Sequence, residues 1–329
     1  LAPSVFCRLT PCSLLLSMLL FLCPGVQLYA QAYQWAHGFY NYVPPVVFLF
    51  LALWLLTREK EEGPVISLSL FLLGIFQCLF SENSTVACAF VAASIFVFWR
   101  HPKWQKRYPH PNLAYFSGTI LGSLIMFLLP RLLGLSGKLS WYRGAVDLTS
   151  LSDMKAFAGE NLLLIVRLFC EFYILWFFLA LLLFVKWLKS KKLFSGILLA
   201  FLVFDIFFMA IANQKMEILT YLTPESYLLV LATMSGLFAA LALLFLLLEW
   251  KRSRLFLILV LAAALSFFEL LFVRPIGARC LFITYSLMSA IVFLLASEWA
   301  GGCSDRQRKN TSILLPLLLC VVYLPLLIC

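Results

Sequence analysis

The sequence predicts an all-α fold, a polytopic bundle of helices integral to a membrane. Hydrophobic residues make up 64% of the 329 positions and charged residues 12%, about half the charged share of an ordinary soluble domain. Apolar runs of about 17–25 residues, long enough to cross a hydrocarbon layer as helix, recur from end to end. Lys and Arg gather in short stretches between those runs, as they do in the loops of membrane proteins. A transmembrane barrel would alternate apolar and polar residues in short segments, and no such alternation is present.

About eleven candidate spans follow in order. The first covers 12–28, with Pro24-Gly25 near its outer end. The second, 43–57, is short for a crossing and is expected to begin inside the membrane at Pro44-Pro45. Next come 65–80, 86–99 and 113–135, the last with Pro130 near its end. Residues 136–160 are the longest hydrophilic stretch, expected as an extracytoplasmic loop. The sixth span, 162–188, is long enough to cross as one tilted helix. The remaining spans are 193–212, 227–250, 255–273, 280–297 and 313–328. Together they form a single integral membrane domain over 1–329, with no soluble domain attached. The start at Leu1 rather than Met leads us to expect an N-terminal truncation.

Loop charges orient these spans. One parity of loops holds Arg58 and Lys60, then Arg100, Lys103, Lys106 and Arg107, then Lys186, Lys189, Lys191 and Lys192. The same parity continues with Lys251, Arg252 and Arg254, and with Arg306, Arg308 and Lys309. The positive-inside rule makes this side cytoplasmic. The opposite face then holds 34–45, 81–84, 136–160, 213–226 and 273–279. The net charge of +10 is thereby read as topology, and nucleic acid is not expected as a partner. Ten cysteines mostly lie in or beside apolar spans without CxxC or Cys/His metal spacing, which reads as buried packing.

Two kinds of residue stand out from this background. Residues 34–45 contain Trp35, His37, Phe39, Tyr40, Asn41 and Tyr42 and no charge. That is the composition of a loop re-entering a membrane surface, suited to stacking on a sugar ring or a lipid headgroup. Ionisable residues at bilayer depth or on the disfavoured face form the second kind, because each costs about 2.5–3.5 kcal/mol or more to insert. Arg131, Arg143, Arg274 and Arg279 lie on the extracytoplasmic side, and Arg279 opens a helix where exposed amides help hold a phosphate. Snorkelling of Arg274 and Arg279 to lipid headgroups is the alternative. Arg167 and Glu171, four apart, read as an ion pair on one helix face. Asp205 and Glu269 fall inside spans, with structural and functional roles both open. Glu82, beside Asn83, Ser84 and Thr85, reads either as an acid at a helix N-terminus or as a general base or metal holder. His37 has no second histidine or carboxylate near it in sequence, so a zinc site has little support. No Ser-His-Asp order, Walker loop, GxGxxG or HExxH occurs.

Trp35-x-x-Gly38-x-x-Asn41-Tyr42 followed by proline, a helix with Gly74 ending in Ser81-Glu82-Asn83, and Arg279 opening a late helix together resemble an uncharacterised family of bacterial polytopic membrane proteins. That family is similar to the GT-C glycosyltransferases. The resemblance implies a GT-C-like bundle in the bacterial cytoplasmic membrane, a polyprenyl-phosphate-linked sugar as donor, a cell-envelope glycan as acceptor, and an inverting displacement at the extracytoplasmic face. Under it Arg279, Arg274 and Arg143 would hold the donor phosphate, and Trp35, His37, Tyr40, Asn41 and Tyr42 would contact sugar or acceptor. Glu82 would be the catalytic carboxylate. A divalent metal is compatible with such chemistry, but no ligand cluster shows in the sequence. GT-C enzymes usually carry an acid in the first outer loop; this chain has none there, which places that acid upstream of Leu1 if the start is truncated. The competing readings are a non-enzymatic transporter of lipid-linked glycan and an envelope-assembly subunit.

Overall fold

The computed structural model describes residues 20, 26–57, 64–98, 110–132, 151–214, 236, 250–272 and 277–301. Every regular element among the described residues is helical, as a bilayer demands of a chain that must satisfy its own backbone. Most of the expected first span, almost all of 227–250 and all of 313–328 lie outside the described residues. Four helical segments are long and apolar enough to cross a membrane: Ala36–Leu56, Pro111–Leu129, Leu193–Ala210 and Ala278–Ala296. Pro64–Gln77, Glu82–Phe98, Tyr173–Leu188 and Leu255–Ser266 are shorter apolar helices.

Helix α1 (Val26–Tyr29) runs into one π-helical turn, Ala30–Gln34. The helix stops at Trp35, whose backbone is extended at φ −85°, ψ 116°. Helix α2 then spans Ala36–Thr57 without a break at Pro44 or Pro45. The expected re-entrant loop is therefore helix from Ala36 onward. Each proline removes one backbone donor, and the carbonyls left over are those of Tyr40 and Asn41. Both residues are exposed, so water or headgroups can take up the orphaned carbonyls and the helix survives.

Helices α3 (Pro64–Gln77) and α5 (Pro111–Leu132) cross in close contact, with α4 (Glu82–Phe98) packed beside them. Small residues allow the crossing. A Cβ on Gly118 would overlap the Phe71 carbonyl, and one on Gly122 would come within 2.6 Å of the Ile75 carbonyl oxygen. Gly74 faces the same seam, 2.7 Å from Thr119 N by the same measure. A buried polar clasp locks the pair: Tyr115 OH donates to Gln77 Oε1 at 3.0 Å, and Gln77 Nε2 donates to Thr119 Oγ1 at 3.0 Å. Gly118-x-x-x-Gly122 is the small-residue spacing by which membrane helices bring their backbones together.

Helices α6 (Leu151–Cys170) and α7 (Tyr173–Ser190) replace the single sixth span. The chain turns at Glu171-Phe172, where Glu171 N–H and Phe172 N–H donate three residues back, to Leu168 and Phe169. No proline or glycine marks this break. Packing explains it, because Phe172 is fully buried against Tyr285 at 5.0 Å between ring centroids and 5.2 Å from Phe169. The expected pairing of Arg167 with Glu171 rests on the Arg167 side chain, which lies outside the described residues. Residues 151–160, expected within a hydrophilic loop, are the first turns of α6; Leu151, Met154, Ala156 and Ala158 are good helix formers. Residues 136–150 lie outside the described residues.

Helix α8 is Leu193–Gln214 and α9 is Trp250–Glu269. After α9 the backbone tightens to a 3₁₀ turn at Leu270–Phe272, resumes as a second one at Ala278–Leu281, and enters α10 (Phe282–Gly301). Helix α10 is the centre of the bundle. Of the most apolar stretch in Ala278–Ala296, 83% is buried, against 28% for Pro111–Leu129, so α10 is largely enclosed by protein and α5 largely is not. Two buried asparagines hold the non-α backbone on either side of the turn. Asn161 Nδ2 donates to Leu271 O at 2.9 Å, and Asn83 Nδ2 donates to Cys280 O at 2.6 Å. Irregular backbone inside a membrane bundle needs such side-chain partners.

Candidate functional site

The first residues of α2, the start of α4 and the turn leading into α10 converge at one end of the bundle. The loop charges assign these same segments to one face. Trp35 owes its place to the break between the π turn and α2, which leaves its indole 44% exposed. His37 stacks on it, with centroids 5.7 Å apart and planes 23° apart. Over the same indole lies Arg279, its Cζ 4.7 Å from the ring centroid. A guanidinium stacked on Trp keeps its edge donors free for a planar anion.

Arg279 is also held through its backbone, whose N–H donates to Gln31 Oε1 at 3.3 Å. Gly277 makes room for that bond, since a Cβ there would come within 2.7 Å of Gln31 Oε1 and 3.2 Å of Arg279 Nη1. Next in the chain, Cys280 ties the turn to two helices. Its Sγ lies 3.6 Å from the Tyr42 hydroxyl, and its carbonyl accepts from Asn83. Tyr42 also interacts with the Arg279 side chain. Cys78, Cys88 and Cys280 are free and buried, matching the packing role read from the sequence for these three.

Glu82 stands in the first turn of α4, half-buried, one residue from buried Asn83. Behind it, Thr85 Oγ1 donates to Ser81 O at 2.8 Å, and the Ser81 and Ser84 hydroxyls pair at 2.6 Å. The turn that carries Glu82 is thus fixed by its own side chains.

The sequence-predicted residues are thus distributed unevenly. Arg279, Trp35, His37 and Tyr42 come together, and Glu82 is the chain neighbour of Asn83, which is bonded to the same turn. Tyr40 and Asn41 lie on the exposed side of α2, Tyr40 at 67% exposure with its ring edge-on to Phe39. Arg274 and Arg143 lie outside the described residues. Among the described residues no three of His, Cys, Asp and Glu gather as a metal centre would require. Elsewhere, Asp205 is 2% exposed in α8, and a Cβ on Gly236 would fall 2.6 Å from its Oδ2.

Gln31, Asn83 and Gly277 escaped the sequence reading. Gln31 lies three residues before the aromatic stretch and pairs across 248 positions, which no local pattern reveals. Asn83 was visible only as a neighbour of Glu82, and Gly277 only as one residue of the outward stretch 273–279. No family model, no curated protein and no solved structure matches this chain.

Proposed function

We propose that the chain is a multi-pass protein of the bacterial cytoplasmic membrane, with about eleven spans and a GT-C-like bundle. On this reading it transfers a sugar from a polyprenyl-phosphate donor to a cell-envelope glycan at the extracytoplasmic face. The observation that carries the reading is Arg279 stacked on the half-exposed Trp35, beside the helix start that bears Glu82. A lipid-phosphate leaving group needs positive charge where its own negative charge grows, and Arg279 supplies it. The indole offers an apolar face to a sugar ring. The acceptor oxygen forms its bond to the anomeric carbon while the bond from that carbon to the phosphate oxygen breaks. The bonding pair leaves with the phosphate, and the acceptor's proton passes to Glu82 as general base.

Arg279→Ala and Glu82→Gln test this by transfer of labelled sugar from polyprenyl-phosphate donors in membranes. Loss of the charge at Arg279 is expected to lower transfer about 10²–10³-fold, and loss of the base at Glu82 about 10²–10⁴-fold. Full transfer by both variants would sink the assignment. Buried Asp205 favours a second reading, a transporter of lipid-linked glycan, since intramembrane acids commonly line transport paths. Movement of lipid-linked sugar across vesicles without any transfer, lost in Asp205→Asn, would decide for it.

A further inference from the structure

We propose that Asn83 is a specificity-determining residue that accepts a hydrogen bond from a sugar hydroxyl of the bound lipid. This inference rests on the phosphate-and-sugar reading of the same site. Asn83 is 7% exposed, at the second position of α4. Its amide cannot be turned over without loss: Nδ2 donates to the Cys280 carbonyl at 2.6 Å, and a carbonyl accepts only from the NH₂ side. Oδ1 therefore points away from Cys280, where it is buried without a hydrogen-bond partner. Nearly all buried polar atoms in native proteins find partners, so one that does not asks for an explanation. Buried hydroxyls on α10, those of Ser286 and Ser289, are also unpaired. A serine hydroxyl can swing to a carbonyl of its own helix, whereas the Asn83 amide is pinned. A phosphate oxygen cannot satisfy Oδ1, because both are acceptors. A hydroxyl can, and the chain segments joined by the Asn83 bond carry the groups of the phosphate-and-sugar reading. Half-buried Glu82 precedes Asn83 in the chain, and Arg279 precedes the Cys280 to which Asn83 is bonded.

The test is equilibrium binding to the full chain in nanodiscs. The probes are a short polyprenyl phosphate and the same lipid carrying glucose, galactose, mannose or N-acetylglucosamine. The wild type is expected to bind at least one glycosylated lipid about 5–100-fold tighter than the bare phosphate, the range for satisfying one buried acceptor. Asn83→Ala should erase that margin; because its Nδ2 also holds the turn that carries Arg279, affinity for the bare phosphate can fall too, and the ratio between the two lipids is the readout. Arg279→Ala should weaken both lipids alike. A wild type with no margin, a margin that survives Asn83→Ala, or an equal loss for both lipids in that variant would overturn the role of Asn83 and leave the phosphate site standing. If the wild type binds neither lipid and Arg279→Ala changes nothing, the phosphate-and-sugar reading falls, and the inference with it. Monodeoxy sugars on the preferred lipid give the same answer without altering the protein. One ring position should account for the margin, and the absence of any sensitive hydroxyl overturns the proposal even if Asn83→Ala fails to fold.

Discussion

Arg279 is held twice, by Gln31 at its backbone N–H and by the Trp35 ring under its guanidinium. A long side chain ordinarily gives up about 0.5–1.5 kcal/mol of rotamer freedom when a ligand immobilises it, and here that ordering precedes binding. Gly277→Ala probes the arrangement at its most sensitive point. The new Cβ would press on Gln31 Oε1 and Arg279 Nη1, both ends of flexible side chains, so they shift and the fold remains. Binding of polyprenyl phosphate is expected to weaken about three- to tenfold, with the thermal midpoint moving by no more than about 2 °C. Unchanged affinity would show that the hold on Arg279 contributes nothing. At this scale the sequence was half legible. Arg279 and Trp35 stood out because a charge on the disfavoured face and a cluster of aromatics without charge are local signals. Gln31 and Asn83 did not, since their partners lie 248 and 197 residues away.

Elements were more legible than residues, and their failures have a common cause. Apolar length located α3, α4, α5, α8 and α10 to within a few residues. It missed the helical run through Pro44-Pro45 and the break at Glu171-Phe172. Both are settled by tertiary surroundings: exposure of the carbonyls that two prolines orphan, and the burial of Phe172 against Tyr285. The α3–α5 seam, with Gly118 and Gly122 against the Phe71 and Ile75 backbone and Gly74 opposite, went unread in the sequence. Gly118→Leu tests its weight, because the Phe71 backbone that a side chain would meet cannot swing aside. Overpacking of this kind costs about 1–3 kcal/mol or more, and separating the helices would also open the clasp of Tyr115, Gln77 and Thr119. The variant should unfold at clearly lower temperature in detergent than Leu121→Ala, whose side chain is 41% exposed on the same helix. Equal midpoints would mean that the seam does not hold the bundle.

For the molecule as a whole, two independent lines meet at the same end of the bundle. Loop charges sort the chain into two faces without reference to any contact. The structure, without reference to charge, joins Gln31 to Arg279, Tyr42 and Asn83 to Cys280, and Asn161 to the end of α9. All of these lie at the ends of spans that the charge rule places on one face. Orientation in the membrane follows as a prediction about two exposed positions. Tyr40, 67% exposed near the start of α2, should face outward, and Leu193, 80% exposed at the start of α8 after Lys191 and Lys192, should face the cytoplasm. Cys78, Cys88 and Cys280 are buried and should stay silent to a thiol reagent, so only the other native cysteines need replacing. In that background Tyr40→Cys should react with a membrane-impermeant maleimide added to intact cells whose outer barrier has been opened. Leu193→Cys should react only after the inner membrane is permeabilised. The reverse pattern would turn Trp35, Glu82 and Arg279 toward the cytoplasm, where an extracytoplasmic transfer to envelope glycan has no acceptor. Labelling of both positions from outside would instead break the alternation of spans between α2 and α8 on which the count of about eleven depends.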